Sequence, residues 1–328
     1  MTLKSKAKSR MSSLIRAVRL LTLSTLSFSL ISRRASFYTF ADNHMPRTEI
    51  TGRNLQTVYP DEGKHSATVL VLHGLGDSSD GWIDMAERWA RDMPWVKFIV
   101  PSAATRPITM NGGYQMPGWY DIIGLDDRAG ESCDGIDESI AEIRGIMAAE
   151  NALGIPYSRM MLTGFSQGGA LSLFAGLQMP VEQKLGGILV MSGYCPGYSK
   201  FKLTPGLEDV PLMHCHGTSD PVVRHEWAVK TKGHVESLGF RNYELKNYRG
   251  MAHSLCDEEI KDALQFLNKC LPDDAAFTVK PKDPIDMSIK ELKTAIQRAG
   301  LASKAHGFNE KQEYVALLKA HREGNVFL

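Results

Sequence analysis

Continuous apolar runs alternate with amphipathic helical patterns along most of the chain after residue 66. The run at 67–73 is typical of a strand buried on both faces, and residues 79–91 follow it with apolar side chains at helical spacing. Repeated strand–helix units of this kind predict a largely parallel sheet covered by helices. The predicted strands are 67–73, 96–101, 160–163, 187–192, 211–216 and 243–248, and the predicted helices are 79–91, 136–150, 167–178, 223–238 and 257–268.

The amino-terminal part of the chain has a different character. Residues 1–41 carry eight Lys or Arg and no Asp or Glu, and the apolar stretch at 20–31 is too short for an ordinary membrane span. The favoured prediction for residues 1–44 is a mitochondrial or plastid transit peptide. A secretory signal or anchor and a disordered basic tail are the alternatives, so a cytoplasmic or secretory-pathway location stays open beside the organellar one.

The carboxyl-terminal part is predicted to be a separate module. Residues 272–287 are rich in proline and acids, which predicts a linker between a domain at 45–271 and a module at 288–328. Two amphipathic helices are expected in the module. The first would begin with a capping box of Ser288 and Glu291, and the second near Asn309, with Gln312 three residues later.

Composition and charge narrow the functional classes. A chain of 328 residues suits one large α/β domain with appendages. Outside residues 1–41 the chain has 30 Lys and Arg against 37 Asp and Glu, so the body is not an obvious nucleic-acid binder. Five scattered cysteines form no CxxC or metal-like cluster, which is typical of a protein with reduced thiols. We predict neither a metal nor a cofactor.

The sharpest chemical signal is a G-x-S-x-G motif at residues 164–168, between a predicted strand and a predicted helix. The turn in such a motif is so tight that the positions two before and two after the serine must be glycine, which forces Ser166 out at the top of the sheet. The alternative is a Gly-rich turn that has no chemistry. In its strand–turn–helix context the motif predicts that Ser166 is the nucleophile of an α/β-hydrolase fold, with a mostly parallel sheet flanked by helices.

A serine nucleophile needs a base, and the base needs an orienting acid. In this fold class the acid and then the histidine follow the serine along the chain, each in a loop after a later strand. Asp220 follows the predicted strand at 211–216, and His253 follows the strand at 243–248. The sequence therefore predicts a triad of Ser166, Asp220 and His253, whereas His214 and His216 are expected to be packing residues.

Two further groups complete the predicted site. The backbone N–H groups of Leu75, in the Gly-rich loop 73–77, and of Gln167 are expected to stabilise an oxyanion, although a plain glycine turn is the alternative for the loop. Residues 106–122 are rich in methionine and aromatics, and such a segment either lines an acyl-chain channel or packs on the core. The candidate substrate contacts are Met110, Met116 and Trp119.

Five segments of the chain form a recognisable set: HGLGD (73–77), RPITMNGGYQMPGWYDI (106–122), GFSQGGALSL (164–173), HGTSDPVV (216–223) and GMAHS (250–254). Together, in this order, they resemble the acyl-protein thioesterase and lysophospholipase group of carboxylesterases, over about residues 50–270. The resemblance implies hydrolysis of S-palmitoyl thioesters on proteins, with lysophospholipids or small esters as the alternative. It also implies the same triad, and the same two oxyanion N–H groups, that the spacing predicts.

The C-terminal residues 288–318 resemble a degenerate SAP-type helix pair. Some modules of this type bind nucleic acid and others bind proteins. Here lysines alternate with glutamates, which favours a protein contact or a structural role over phosphate binding.

Two functional hypotheses remain from the sequence. In the first, the chain is an active hydrolase whose partners are S-acylated proteins or lysophospholipids, with transient membrane contact. In the second, it is an interaction protein that acts through the helix pair and carries a vestigial hydrolase. The complete set of triad residues argues against the second hypothesis.

Overall fold

A computed structural model describes residues 47–50, 55–60, 63–125 and 131–324 of the chain. Its centre is a long twisted sheet, and a small hairpin lies apart from it. The strands in the described ranges are β1 (Arg47–Ile50), β2 (Leu55–Tyr59), β3 (Ala67–Leu72), β4 (Val96–Pro101), β5 (Thr105–Ile108), β6 (Tyr114–Pro117), β7 (Met160–Phe165), β8 (Gly187–Met191), β9 (Leu212–Gly217) and β10 (Tyr243–Tyr248).

The main sheet has eight strands in the order β1-β2-β4-β3-β7-β8-β9-β10. The strands from β4 to β10 in this order are parallel, whereas β1 and β2 join one edge antiparallel. The carboxyl ends of the parallel strands all lie at the same end of the sheet, so the loops after β3, β7, β9 and β10 converge there. The parallel α/β sheet expected from the sequence is thus confirmed.

Helices cover both faces of the sheet. Alternation along β3 sends Leu70 and Leu72 into one core and Val69 and Val71 into the other, because successive side chains of a strand point to opposite faces. The helices in the described ranges are α1 (Ile83–Asp92), α2 (Ile136–Ala152), α3 (Gln167–Gly176), α4 (His225–Ser237), α5 (Asp257–Cys270), α6 (Ile289–Arg298) and α7 (Lys311–Arg322).

The sequence patterns missed β1, β2 and the hairpin of β5 and β6. The first two strands are four and five residues long and lie at the antiparallel edge, so they lack the apolar run that marks a central strand. Pro107 lies within β5, a position that a central strand excludes and a two-stranded hairpin tolerates. The predicted loop at 106–122 is therefore largely this hairpin and its flanks.

The C-terminal module is the predicted helix pair of α6 and α7, with a small apolar core of its own. The capping box of Ser288 and Glu291 is present at the start of α6. The second helix is present, but its predicted cap was wrong, because the capping box there is formed by Glu310 and Glu313 rather than by Asn309 and Gln312. The Glu313 carboxylate accepts the N–H of Glu310 at 2.8 Å.

Arg298 joins this module to the sheet. The Arg298 guanidinium donates to both carboxylate oxygens of Glu49 on β1, at 3.0 and 2.8 Å, and lies 3.9 Å from the ring centroid of Tyr59 on β2. The predicted linker is also bound to the domain, since the Val279 N–H donates to the His65 carbonyl at 2.8 Å. The predicted targeting segment at 1–44 lies outside the described residues.

Two glycines allow β3, β7 and α3 to meet at the sheet edge. A Cβ atom on Gly168 would lie 2.2 Å from the Leu72 carbonyl oxygen and 2.5 Å from that of His73. A Cβ atom on Gly164 would lie 2.4 Å from the Gly168 carbonyl carbon. Since these neighbours are buried backbone atoms of packed elements, they have no room to move away.

We predict that Gly168→Ala destabilises the protein by about 3 kcal/mol or more, because the new methyl group collides with two carbonyl groups. Chemical denaturation measures the change. Gly145→Ala on the exposed side of α2 is the matched control, since nothing lies within 4 Å of its Cβ position. That control is expected to gain about 0.5–1 kcal/mol of helix propensity, and equal effects of the two substitutions would contradict the steric argument.

A buried acid lies in the first turn of α5. Glu259 is fully buried, and burial raises the pKa of its carboxyl to about 8. The proton is therefore held more tightly in the folded state than in the unfolded chain. Between the unfolded pKa and about pH 8, the folded protein binds more protons, so the free energy of unfolding falls as the pH rises.

We predict that Glu259→Gln flattens this pH dependence, because the amide stays neutral. Urea denaturation at pH 5.5 and pH 7.5 should show a loss of a few kcal/mol for the unmodified protein, and much less for the variant. Glu258→Gln, in the same turn but exposed, is the control and should keep the original slope. Parallel slopes for all three proteins would exclude this explanation.

Candidate active site

Ser166 occupies a strained turn between β7 and α3. Its backbone has φ 54° and ψ −118°, and a positive φ is costly for a residue with a side chain. The turn is held from both sides, since the Ser166 N–H donates to the Met191 carbonyl and its own carbonyl accepts the N–H of Ala170, at 2.8 and 2.9 Å. The strain therefore persists, and it directs the serine side chain away from the sheet toward the converging loops.

The structure brings the three predicted triad residues together. The Asp220 carboxylate follows β9, and the His253 imidazole follows β10. Nδ1 of His253 lies 2.7 Å from Oδ2 of Asp220, and Nε2 lies 2.9 Å from Oγ of Ser166. Because a carboxylate only accepts, Nδ1 carries the proton, and Nε2 is left to accept the serine hydroxyl. A proton can therefore move from Ser166 to His253.

The acid and the imidazole are both fixed by their surroundings. Oδ1 of Asp220 accepts the backbone N–H groups of Val222 and Val223, at 2.8 and 2.9 Å, which leaves Oδ2 facing the histidine. The His253 ring packs against Phe165, with centroids 4.8 Å apart. Asp220 and His253 are 5% and 8% exposed, so water competes weakly for their hydrogen bond.

Two more histidines lie behind the acid, and sequence reasoning treated both only as packing residues. His214 and His216 are two residues apart on β9, so their side chains lie on the same face of the strand. Nε2 of His214 lies 3.2 Å from Nδ1 of His216. Nε2 of His216 donates to the Val223 carbonyl at 2.7 Å and lies 3.6 Å from Oδ2 of Asp220. Burial lowers the pKa of His216 to about 4, so it stays neutral beside the acid. The His-x-His spacing just before Asp220 was the available signal.

The loop of residues 73–77 passes directly beside the serine. A Cβ atom on Gly74 would lie 3.5 Å from the Cβ atom of Ser166, which is an ordinary van der Waals distance, so the loop backbone lies against the serine. Within the described ranges, the backbone N–H groups of Leu75 and Gln167 donate no hydrogen bond. Gln167 also opens α3, whose positive dipole end favours a negative charge at this point.

The three predicted substrate contacts have different environments. Met110 and Met116 are half-buried, and the Met116 sulfur lies 3.5 Å from the Cβ position of Gly76 in the loop beside the serine. Trp119 is fully buried, and its indole N–H donates to the His73 carbonyl at 2.8 Å. Its role as a substrate contact stays a prediction, and this placement favours a role in holding the loop instead.

No group of three or more His, Cys, Asp or Glu in the described ranges is arranged to hold a metal ion. No helix in them has the length and apolar character that a membrane crossing needs.

Similarity to known proteins agrees with this geometry. The model of the phospholipase/carboxylesterase family matches residues 53–271. Acyl-protein thioesterase 1 homolog 1 of Dictyostelium discoideum is 41% identical over 210 residues, which cover 63% of this chain and 92% of that protein. Acyl-protein thioesterase 1 of Neurospora crassa is 40% identical over 224 residues, which cover 65% and 90% of the two chains.

Solved structures with the same fold agree as well. Acyl-protein thioesterase 2 of Zea mays aligns with a TM-score of 0.59 at 28% identity, over 67% of this chain and all of that one. SOBER1 of Arabidopsis thaliana aligns with a TM-score of 0.56 at 28% identity, over 62% and 99% of the two chains. With a family model that matches about two thirds of its residues, the chain is a serine hydrolase that belongs to the phospholipase/carboxylesterase family of α/β-hydrolases.

Proposed function

We propose that the protein removes long-chain acyl groups from cysteine side chains of other proteins, with Ser166 as nucleophile. The observation that carries the proposal is the hydrogen-bonded chain from Ser166 through His253 to Asp220. The names of the relatives at about 40% identity support the thioester as substrate. The half-buried side chains of Met110 and Met116, on the hairpin beside the serine, support an apolar acyl group.

In the proposed mechanism, His253 accepts the hydroxyl proton as Ser166 Oγ attacks the acyl carbonyl carbon. The Leu75 and Gln167 N–H groups stabilise the resulting oxyanion. When the tetrahedral intermediate collapses, the carbon–sulfur bond breaks, and His253 returns the proton to the leaving cysteine thiolate. A water molecule then hydrolyses the acyl-enzyme by the same steps. Asp220 holds the imidazole and stabilises its charged form throughout.

We predict that Ser166→Ala lowers turnover of an S-palmitoyl peptide by about 10⁴-fold or more, because serine and histidine act as a unit. A fluorophosphonate probe should label the unmodified protein at Ser166 and leave the variant unlabelled. Ser172→Ala is the control, since Ser172 Oγ is buried on α3 and bonded to the Gly168 carbonyl. Retained turnover in Ser166→Ala would remove the serine from the mechanism. If the unmodified protein is folded but does not react with the probe, the interaction-protein hypothesis would be favoured.

The same preparation decides between the substrates that share this mechanism. Turnover of an S-palmitoyl peptide, lysophosphatidylcholine and a short-chain ester should be compared at equal enzyme concentration. The proposal requires the highest kcat/KM for the palmitoyl peptide. A preference for the lysophospholipid or for the short ester would support lysophospholipase or general carboxylesterase activity instead.

We also propose a transient contact with the membrane that holds the acylated substrates. Tyr114, on the hairpin, is 69% exposed, and Ile123 is 52% exposed. Ile123 lies next to the hairpin, because the Met110 N–H donates to the carbonyl of the preceding residue, Ile122. Replacing both by serine should weaken co-sedimentation with lipid vesicles. Leu153→Ser is the control, because Leu153 is 54% exposed just past the end of α2. An equal loss in that control would argue against a specific contact.

The roles of the two chain ends also stay proposals. A protein contact of the C-terminal helix pair is favoured over nucleic acid because exposed Lys282 and Lys319 pair with Glu291 and Asp283. Organellar targeting by residues 1–44 remains the favoured prediction for the location.

A further inference from the structure

One short segment touches both parts of the backbone that carry the predicted oxyanion donors. Residues 117–120 leave the hairpin at the end of β6 and run between the loop at 73–77 and the start of α3. Leu75 belongs to the first of these elements and Gln167 to the second. Their separation and direction are therefore set by what joins the two elements.

On the loop side, the segment binds the residues that flank Leu75. The Pro117 carbonyl accepts the Gly76 N–H at 2.8 Å, and the indole N–H of Trp119 donates to the His73 carbonyl at 2.8 Å. The loop is thus tethered two residues before Leu75 and one residue after it. These two bonds restrict the movement of the loop around Leu75.

On the helix side, the segment binds the side chain of Gln167. The Trp119 backbone N–H donates to Oε1 of Gln167 at 2.9 Å, and Nε2 of Gln167 donates to the Tyr120 carbonyl at 2.6 Å. This amide is 1% exposed, so water does not replace either bond. Gln167, which carries the second predicted donor, is therefore fixed through its side chain.

Within residues 117–120, Trp119 is the residue that forms hydrogen bonds both to the loop at 73–77 and to Gln167 at the start of α3. Its side chain is fully buried, its ring centroid lies 5.0 Å from that of His73, and its carbonyl accepts the hydroxyl of Ser139 on α2 at 2.5 Å. We propose that Trp119 is a positioning residue that fixes the Leu75 and Gln167 N–H groups relative to each other. The inference rests on the proposed function. It gives Trp119 a role in stabilising the transition state, through the positions of the two donors, rather than a contact with the acyl chain.

The test compares two fully buried tryptophans. Trp119→Phe removes the bond to the His73 carbonyl, whereas Trp89→Phe on α1 removes an indole N–H that has no partner within the described residues. Both substitutions delete the same volume from a core. Trp119→Phe should lower kcat by about 10- to 100-fold with KM unchanged, because a small misplacement of the donors weakens only the transition state. Trp89→Phe should retain the kcat of the unmodified protein.

A second readout separates positioning from a structural role. An alkyl trifluoromethyl ketone forms a tetrahedral adduct with a reactive serine, and its affinity should fall in Trp119→Phe by the same factor as kcat/KM. If the substitution prevents folding, benzothienylalanine at position 119 deletes the N–H while keeping the ring shape. Equal kcat values for the two tryptophan variants, or a loss confined to KM, would overturn the proposal. Failure of Ser166→Ala to abolish turnover would instead overturn the proposed function.

Discussion

The site depends on one close approach, that of the first turn of α3 to the carbonyl groups at the end of β3. Gly168 permits it, because any Cβ atom there would overlap the Leu72 and His73 carbonyl oxygens. This contact places Ser166 and Gln167 beside the loop that follows β3. Without it, the loop that contains Leu75 would not lie beside the serine. The glycine spacing of the motif is therefore a packing requirement before it is a chemical one.

The acid end of the triad is built on a different principle. Asp220 is buried, and a buried carboxylate needs hydrogen bonds on all sides to remain charged. Two backbone N–H groups serve one oxygen and His253 serves the other, while His216 stays neutral within 3.6 Å. Burial holds the pKa of both His214 and His216 well below its usual range, so neither competes with His253 for the serine proton.

Sequence reasoning proposed Ser166, Asp220 and His253 because each follows a strand of a parallel sheet. That rule places Ser166, Asp220 and His253 at the carboxyl ends of the strands without any knowledge of distances. The structure brings them within hydrogen-bond reach. The rule does not apply to Trp119, which lies after a short antiparallel hairpin that has no apolar run to mark it. Its aromatic side chain indicated a substrate contact, and only the partners of its indole and backbone groups indicate otherwise. Tertiary hydrogen bonds of this kind leave no periodic trace in a sequence.

The sheet order also bears on how the C-terminal helix pair relates to the chemistry. Arg298 joins the pair to Glu49 on β1, which is the outermost strand on one side of the sheet. Asp220 and His253 follow β9 and β10, which are the last two strands on the other side. Four strand spacings separate β1 from β7, which is about 19 Å at the usual distance between neighbours. The family match ends at residue 271, before the pair begins. The helix pair therefore contacts the sheet on the side away from Asp220 and His253.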